Sequence, residues 1–376
     1  MPSMAANIPL VDLSGLQDDV AEQLVSAAIG HGFIYIRNLG HDIPASDVDE
    51  AFALVIQHDA SKTFASSHAC SYPILSLVEK IICCAGGGEA SMLYADKQPR
   101  LVSDTRRESG PQESQGEQIG DFKEVFNFGE FVNGKAQQPI PATIANDEAS
   151  YAAFAGLCRA LCLKILTLLG QGLQVGDFLK SAHFQAETGS GSTLRFLRYP
   201  PPSTTSHAKD DVRAGAHSDY GSITLLFRLK GQAGLQVLSK DNSWVSVPVV
   251  PPGTENDPSP PILINIGDLL SYWTNGLFKS TMHRVVFPDD EEGGDVLFPG
   301  ETSIEARYSI VYFCQPMNNA LLEPIPSQLI RDFAPAEDTQ DANPYAKRKV
   351  MTAGEHLLMR LKATYGTLYT DEETAP

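Results

Sequence analysis

Apolar residues in the first part of the chain recur with the spacing of short strands and helices in alternation. The segment IPLVDL at 8–13 predicts a strand, and Ser14 can cap a helix that runs to about His31 with apolar residues every four positions. A glycine follows, and FIYIR at 33–37 predicts a second strand. A further helix is predicted over about 46–64. This order is typical of a mixed α and β protein.

The regular pattern stops at about residue 66 and returns only after residue 104. This stretch contains three of the six cysteines and a glycine triplet, and it has no sustained period. A structureless segment of this length is unusual inside a compact domain. It is interpreted either as a lineage-specific insert or as a retained intron or misjoined exon translated in frame.

The second half of the chain changes from helix to a series of short strands. A long Ala- and Leu-rich helix is predicted over about 147–169, and a final helix over about 353–365. Between them lie short apolar runs separated by turns: LRFLRY, SITLLF, LQVL, WVSVPV, ILINI, HRVVF and YSIVYF. This rhythm predicts an antiparallel sandwich or barrel.

Composition and charge exclude several classes of protein. The formal net charge of −18 over 376 residues argues against a nucleic-acid or anionic-membrane partner, since both require basic surface. The N-terminus lacks the features of a signal peptide, and no stretch is expected to reach the roughly 18 apolar residues of a membrane span.

Cys158 and Cys162 share a helix face but have no second pair to complete a zinc site. Reduced thiols in a cytoplasmic protein are therefore expected.

Two histidines and one aspartate are spaced as ligands of a single metal ion. His217 and Asp219 are two residues apart, so on a strand both side chains point to the same face. His283 opens a later apolar strand. A lone His-x-Asp pair is common in surface turns, but two imidazoles and one carboxylate form the facial set of non-haem Fe(II) enzymes. The other histidines, among them His183 and His356, are predicted to be solvated or capping residues.

An arginine and a serine in a following strand are spaced to bind a small dicarboxylate. Arg307 and Ser309 share one strand face, and a guanidinium pairs with a carboxylate through two hydrogen bonds. Tyr308 and Ile310 should face the opposite layer. Tyr199 could add a hydroxyl to the same anion or be a core residue. The alternative for Arg307 is an ion pair with an acidic core residue.

These motifs, with others along nearly the whole chain, resemble the isopenicillin N synthase-like family of 2-oxoglutarate/Fe(II) dioxygenases, and the GEF and TAGEHLLMRL segments look most like fungal members. The segments that carry the resemblance are IPLVDL, GFIYIRNLG, GDFKEVFNFGEF, LRYPP, AHSDYGSITLLF, GLQVL, INIGDLLSYWTNGLFKSTMHRV, RYSIVYFCQP and TAGEHLLMRLKATYG. The segment at 66–104 does not resemble the family.

The resemblance implies an α+β fold, with a double-stranded β-helix (jelly-roll) core, a helical N-terminal region and flanking helices. It divides the chain into an N-terminal dioxygenase region at 8–132, the jelly-roll domain at 190–318 and a C-terminal helical extension at 319–376. It also implies Fe(II) on the triad, 2-oxoglutarate with its far carboxylate on Arg307, Ser309 and Tyr199, and O2 as oxidant.

The resemblance further implies which residues face the substrate. By family position these are Phe126, Phe128, Arg195, Tyr220, Phe313 and Gln315, of which Arg195 suggests an anionic or carbonyl-bearing substrate. Asn265 is either a residue that supports the metal ligands or a purely structural one.

The predicted function is a monomeric, cytoplasmic oxygenase that hydroxylates, desaturates or ring-modifies a small organic molecule in catabolism or secondary metabolism. Two alternatives stay open: an iron oxidase that does not use 2-oxoglutarate, and a non-catalytic or impaired jelly-roll metal-binding protein.

Overall fold

The computed structural model describes residues 5–57, 103–104, 123–184, 189–200, 212–286, 306–333 and 349–364. Within these ranges the helices are α1 (Gln17–Gly30), α2 (Ala45–Gln57), α3 (Glu148–Gly172), α4 (Phe178–His183), α5 (Asp268–Trp273), α6 (Gln328–Asp332) and α7 (Ala353–Thr364). The strands are β1 (Leu10–Val11), β2 (Phe33–Ile36), β3 (Ser103–Asp104), β4 (Lys123–Phe128), β5 (Phe131–Val132), β6 (Lys135–Ala136), β7 (Thr193–Tyr199), β8 (Val212–His217), β9 (Ile223–Arg228), β10 (Leu235–Leu238), β11 (Trp244–Ser246), β12 (Ile262–Ile266), β13 (His283–Val286) and β14 (Arg307–Cys314).

Two sheets form the core of the molecule. The larger has the order β1-β2-β12-β9-β14-β7-β4-β3, and the smaller has the order β11-β10-β13-β8. The described pairs are antiparallel except β1 with β2. Most strands that are adjacent in a sheet come from distant parts of the chain, although β10 and β11 follow each other directly. This is the arrangement expected of a jelly roll, in which two antiparallel sheets enclose an interior.

Strand β14 of the larger sheet divides its side chains between two cores. On β14, Tyr308, Ile310, Tyr312 and Cys314 pack into a cluster shared with the helices, as predicted for Tyr308 and Ile310. Val311 and the partly buried Phe313 belong instead to the cluster between the two sheets. This alternation follows from the period of two in a strand, and it decides which residues can reach the interior.

The helical layer covers the outer face of the larger sheet. Helix α3 packs against α1 and α4 and against the sheet, and it buries Cys158 and Cys162 as free thiols. The predicted absence of a long apolar span was wrong, because residues 145–172 are long and apolar enough to cross a membrane by length and composition, with half of the relevant window buried. The core helix of a soluble protein passes the same test.

Most predicted elements are present, with shifted ends. The predicted cap of α1 was wrong: the Ser14 hydroxyl donates to Asp12 Oδ1 at 2.6 Å, and Leu16 precedes the helix without a side-chain cap. The three short helices α4, α5 and α6 were missed. Except for the two residues of β3, the atypical segment at 66–104 lies outside the described residues.

Candidate metal centre

Two neighbouring strands of the smaller sheet bring the two candidate histidine ligands together. His217 ends β8, His283 begins β13, and the two residues are direct cross-strand partners. Their ring centres are 4.4 Å apart. Asp219 lies two residues beyond the end of β8, so its predicted place on the strand was wrong. The turn nevertheless directs its carboxylate toward both imidazoles.

The candidate ligand atoms converge on one point. Asp219 Oδ1 lies 4.0 Å from His217 Nε2 and 3.8 Å from His283 Nε2, and the three ligand atoms all lie within 4.8 Å of one another. Each Nδ1 is held by a backbone carbonyl, that of Gly215 for His217 at 2.7 Å and that of Thr281 for His283 at 3.1 Å. Both Nε2 atoms are therefore directed inward, which is the usual arrangement of histidines that bind a metal.

The carboxylate of Asp219 is oriented by two hydrogen bonds to its other oxygen. Thr224 Oγ1 donates to Oδ2 at 2.7 Å, and Asn265 Nδ2 donates to the same atom at 2.8 Å. Oδ1 is thereby left to face the imidazoles. Asn265 thus supports the carboxylate, while Thr224 was missed by sequence reasoning. A polar residue at an inward position of the apolar run SITLLF was the available signal.

Removal of either donor should weaken metal binding without abolishing it. Partners of this kind typically contribute 10- to 100-fold to metal affinity. We therefore expect Asn265→Ala and Thr224→Val each to weaken Fe(II) binding by about that factor, measured by anaerobic titration. Thr167→Val is the matched control, because the Thr167 hydroxyl bonds only within α3. Unchanged Fe(II) affinity in both test variants would remove these residues from the supporting role.

The charges of the triad suit a divalent cation. Burial raises the pKa of Asp219, but the two imidazoles and the hydrogen bonds from Thr224 and Asn265 outweigh it, and the net pKa is below its ordinary value. Desolvation, followed by the nearby His283, lowers the pKa of His217. At pH 7 a carboxylate and a neutral imidazole therefore present lone pairs. The side chain of His217 is 44% exposed against 7% for Asp219, so the triad is open on the His217 side.

The turn that carries Asp219 is anchored from behind by α5 and α7. The amide of Asp268 donates to the carbonyl of Asp219 at 2.7 Å, and Ser218 Oγ donates to Asp268 Oδ2 at 2.9 Å. Arg360 of α7 forms an ion pair with the same oxygen at 2.9 Å, and its Cζ lies 5.0 Å from the ring centre of Tyr220. The C-terminal helix thus anchors the turn that carries the candidate ligand Asp219.

Two histidines predicted to be solvated are buried. His183 is 3% exposed, with Nδ1 2.7 Å from the carbonyl of Leu179 and Nε2 2.8 Å from Ser222 Oγ. His356 is fully buried on α7 with its ring against Tyr272. Burial lowers the pKa of each to about 4, so both are neutral. Both belong to the packed helical layer rather than to the surface.

The candidate anion clamp lies in the same cavity as the triad. Arg307 is 3% exposed, its Nη1 donates to Ser309 Oγ at 2.7 Å, and its Cζ lies 4.9 Å from the ring centre of Tyr199. Nε donates to the carbonyls of Gln232 and Ala233. Burial lowers the pKa of Arg307, and Tyr199 opposes that effect. Within the described ranges no carboxylate pairs with Arg307, so the predicted alternative of an acidic core partner is not seen there.

Two further arginines add positive charge beside the clamp. Arg228 is 3% exposed and donates to the carbonyls of Val247 and Pro248. Arg213 is 2% exposed, and burial together with the charge of Arg307 lowers its pKa to about 10. Sequence reasoning missed both. A region with three buried guanidiniums is suited to a ligand with negative charge.

The structure brings only part of the predicted substrate wall to the cavity. Arg195 and Phe313 line it, whereas Phe126, Phe128, Tyr220 and Gln315 do not. The reason for the two phenylalanines is strand parity: on β4, Lys123 faces the cavity, so residues at even positions face the helices. Gln315 is 5% exposed, and its backbone N–H donates to Ser192 Oγ at 3.0 Å.

Phe128 should therefore behave as a core residue rather than as a substrate contact. It is fully buried, and its ring centre lies 4.8 Å from those of Phe126 and Tyr151. Phe128→Ala is expected to lower the free energy of unfolding by about 3–5 kcal/mol, measured by urea denaturation, with an unchanged half-saturating concentration of 2-oxoglutarate. Phe313→Ala is the contrasting variant, because its ring lines the cavity. A stable Phe128→Ala with altered substrate handling would contradict the assignment.

Comparison with known proteins gives a family match over the strand-rich half. Residues 191–316 match the model described as 2OG-Fe(II) oxygenase superfamily. Proline hydroxylase buaE of Petromyces alliaceus is 30% identical over 260 residues, which cover 67% of this chain and 71% of that protein. The UPF0676 protein C1494.01 of Schizosaccharomyces pombe is 29% identical over 366 residues, which cover 96% of this chain and 93% of that protein.

A solved structure with the same fold covers almost the whole chain. It is that of a full-length Neurospora crassa protein in complex with alpha-KG and thymine, with a TM-score of 0.67 at 24% identity, covering 97% of this chain and 100% of that one. This likeness confirms the predicted α+β fold with a jelly-roll core.

Proposed function

The chain belongs to the 2OG-Fe(II) oxygenase superfamily, and on that premise we propose that His217, Asp219 and His283 hold its Fe(II). We propose equally that Arg307, Ser309 and Tyr199 hold the far carboxylate of its 2-oxoglutarate. The protein is an oxidoreductase that uses both and acts on a small molecule. The observation that carries the assignment is one cavity lined by an open His-Asp-His set and by a buried guanidinium.

The chain's own residues prepare this cavity for the reaction. With 2-oxoglutarate bound, Fe(II) supplies oxidative decarboxylation to succinate and CO2, coupled to oxidation of a substrate C–H bond. Thr224 and Asn265 orient the carboxylate, and the backbone carbonyls behind the histidines fix their tautomers. Val285, Leu235 and Leu226 line the cavity and exclude water from the reacting groups.

A two-step measurement tests this function. Purified protein is loaded with Fe(II) without oxygen, 2-oxoglutarate is added, and a weak visible charge-transfer band that requires both components is expected. Oxygen and a panel of heterocycles, phenolics, amino acids and terpenoid acids are then supplied, and succinate is measured. No band in folded, iron-loaded protein would contradict the assignment. A substrate oxidised without succinate would favour the iron oxidase instead.

The proposal also covers the reaction type, the cellular location and the oligomeric state of the enzyme. Hydroxylation in catabolism or secondary metabolism is suggested by the names of relatives, among them proline hydroxylase buaE and homoarginine-6-hydroxylase 2-ODD-C23 of Glycine max. The net charge of −18 supports a protein without nucleic-acid or membrane partners, and the free thiols of Cys158, Cys162 and Cys314 support the reducing cytoplasm as its location. We propose a monomer, which light scattering on the purified chain tests directly.

A further inference from the structure

Arg195 is a second cavity arginine whose guanidinium is held in a fixed orientation. It lies on β7 and lines the cavity together with the triad. Its Nε donates to Asn127 Oδ1 at 2.8 Å, and its Cζ lies 5.0 Å from the ring centre of Phe313. The hydrogen bond and the aromatic ring together fix the plane of the guanidinium group. In the part of the chain that the structure describes, its two Nη atoms have no hydrogen-bond partner.

Arg198, a neighbouring arginine of the same strand, provides a comparison because its guanidinium forms an ion pair. Arg198 lies on the opposite face of β7, where its Nη1 is 3.0 Å from Glu124 Oε1. Arg195 forms no such ion pair with any described residue. A half-buried guanidinium that lines a cavity and has unpaired outer nitrogens is a preformed receptor for an oxyanion, because both of those nitrogens can donate in parallel.

This receptor is separate from the clamp for 2-oxoglutarate. Across the sheet Arg307 pairs with Tyr199, whereas Arg195 pairs with Val311. Four residues along a strand correspond to about 13 Å. Arg195 lies at the end of the cavity nearer to the triad. The next inward-facing residue of β14 after Val311 is Phe313, which pairs with Thr224. Thr224 in turn donates a hydrogen bond to Asp219.

A second positive charge lines the cavity from β4, at the level of Tyr199 rather than of Arg195, because Glu124 pairs with Arg198 in the antiparallel register. Lys123 of β4 lines it, and its charge contributes to the lowered pKa of His217. The planar fork, covered on one face by Phe313, matches the planar two-oxygen group of a carboxylate. A ring or other flat group next to that carboxylate would contact Phe313 and Val311.

We propose that Arg195 binds a carboxylate of the primary substrate, so that the enzyme oxidises organic acids. This inference rests on the proposed function and adds the substrate class to it. The carboxylate would fix one end of the substrate at β7 and bring a nearby C–H bond to the open side of the triad. Oxidation of one particular C–H bond requires that the bond be held in a fixed position relative to the reacting metal centre.

The test compares small acids with their primary amides, which have the same shape without the charge. Proline with prolinamide and phenylacetate with phenylacetamide are included in a panel of such pairs. Binding is measured by anaerobic calorimetry on protein that holds Fe(II) and 2-oxoglutarate. At least one acid is expected to bind about tenfold more tightly than its amide, or about 1.4 kcal/mol.

Substitutions at Arg195 then assign the preference to this residue. Arg195→Gln should abolish the preference for acids, and Arg195→Lys should keep part of it because the charge remains without the fork. Arg159→Gln is the matched control. It also removes an arginine stacked on an aromatic ring, with Cζ 4.7 Å from the centre of Phe184, but on the exposed surface of α3.

Three results would overturn the proposal. They are no acid binding at about 10 mM, equal binding of acids and amides, and a rise in the 2-oxoglutarate requirement of Arg195→Gln as large as that of Arg307→Ala. The last would mean that Arg195 meets the cosubstrate's own carboxylate. An intact 2-oxoglutarate-dependent band in each variant separates these outcomes from failure of the proposed function, which would remove the band from the unmodified protein.

Discussion

Replacement of His217 by alanine is expected to abolish turnover while leaving the protein folded. The imidazole is a candidate ligand, and loss of a ligand should cost more than the 10- to 100-fold in metal affinity that supporting residues contribute. Its side chain is 44% exposed, so its removal leaves little unfilled core. Succinate formation should fall below detection, and Fe(II) titration should show weak or absent binding.

Substitutions of the other two candidate ligands, Asp219 and His283, are harder to interpret, because both side chains are buried. Asp219→Ala should also abolish turnover, but it leaves the donors Thr224 and Asn265 without an acceptor, which costs about 1–3 kcal/mol for each buried group. Asp219→Asn retains an acceptor and separates the two effects. His41→Ala, at an exposed loop histidine, is the matched control. Turnover within tenfold of the unmodified protein in His217→Ala would exclude this residue as a ligand.

The strand-rich half of the fold could be predicted because its signals are local. ILINI and LQVL correspond residue for residue to β12 and β10, where apolar runs bounded by turns leave one interpretation. The alternation of side chains along a strand also placed Tyr308 and Ile310 correctly, on the face of β14 that packs against the helices. The same rule, applied to β4, would have turned Phe126 and Phe128 away from the cavity. Family position was used there instead, whereas the structure packs both rings into the core shared with the helices.

The features that were not predicted depend on contacts between segments that are distant in the sequence. No local pattern shows that Arg360 of α7 would pair with Asp268 behind the ligand turn, or that Arg228 would lie beside the clamp. The buried positions of His183 and His356 likewise follow from helix packing, because a single histidine in an amphipathic segment is compatible with either face. Burial of a polar residue is settled by its partners in space, which sequence spacing does not reveal.

Arg307→Ala is expected to raise the 2-oxoglutarate concentration required for half-maximal activity by roughly 30- to 1,000-fold. Loss of one partner of a buried, hydrogen-bonded charge pair costs about 2–4 kcal/mol, and each 1.4 kcal/mol corresponds to a factor of ten. Turnover at saturating 2-oxoglutarate should be largely retained, since the triad is untouched. Ser309→Ala removes one hydroxyl that Arg307 contacts, and it should give a smaller rise.

The stability of the same variants provides an independent check on the clamp. Arg307 is buried near two other guanidiniums, so in the absence of an anion its charge opposes folding. Arg307→Met, which keeps the bulk without the charge, is therefore expected to be no less stable than the unmodified protein when 2-oxoglutarate is absent. Added 2-oxoglutarate at 100 times its dissociation constant should stabilise the unmodified protein by about 2.7 kcal/mol and the variant by at most about 0.9 kcal/mol. Equal stabilisation of both proteins would show that the cosubstrate carboxylate binds elsewhere, and the clamp would have to be reassigned.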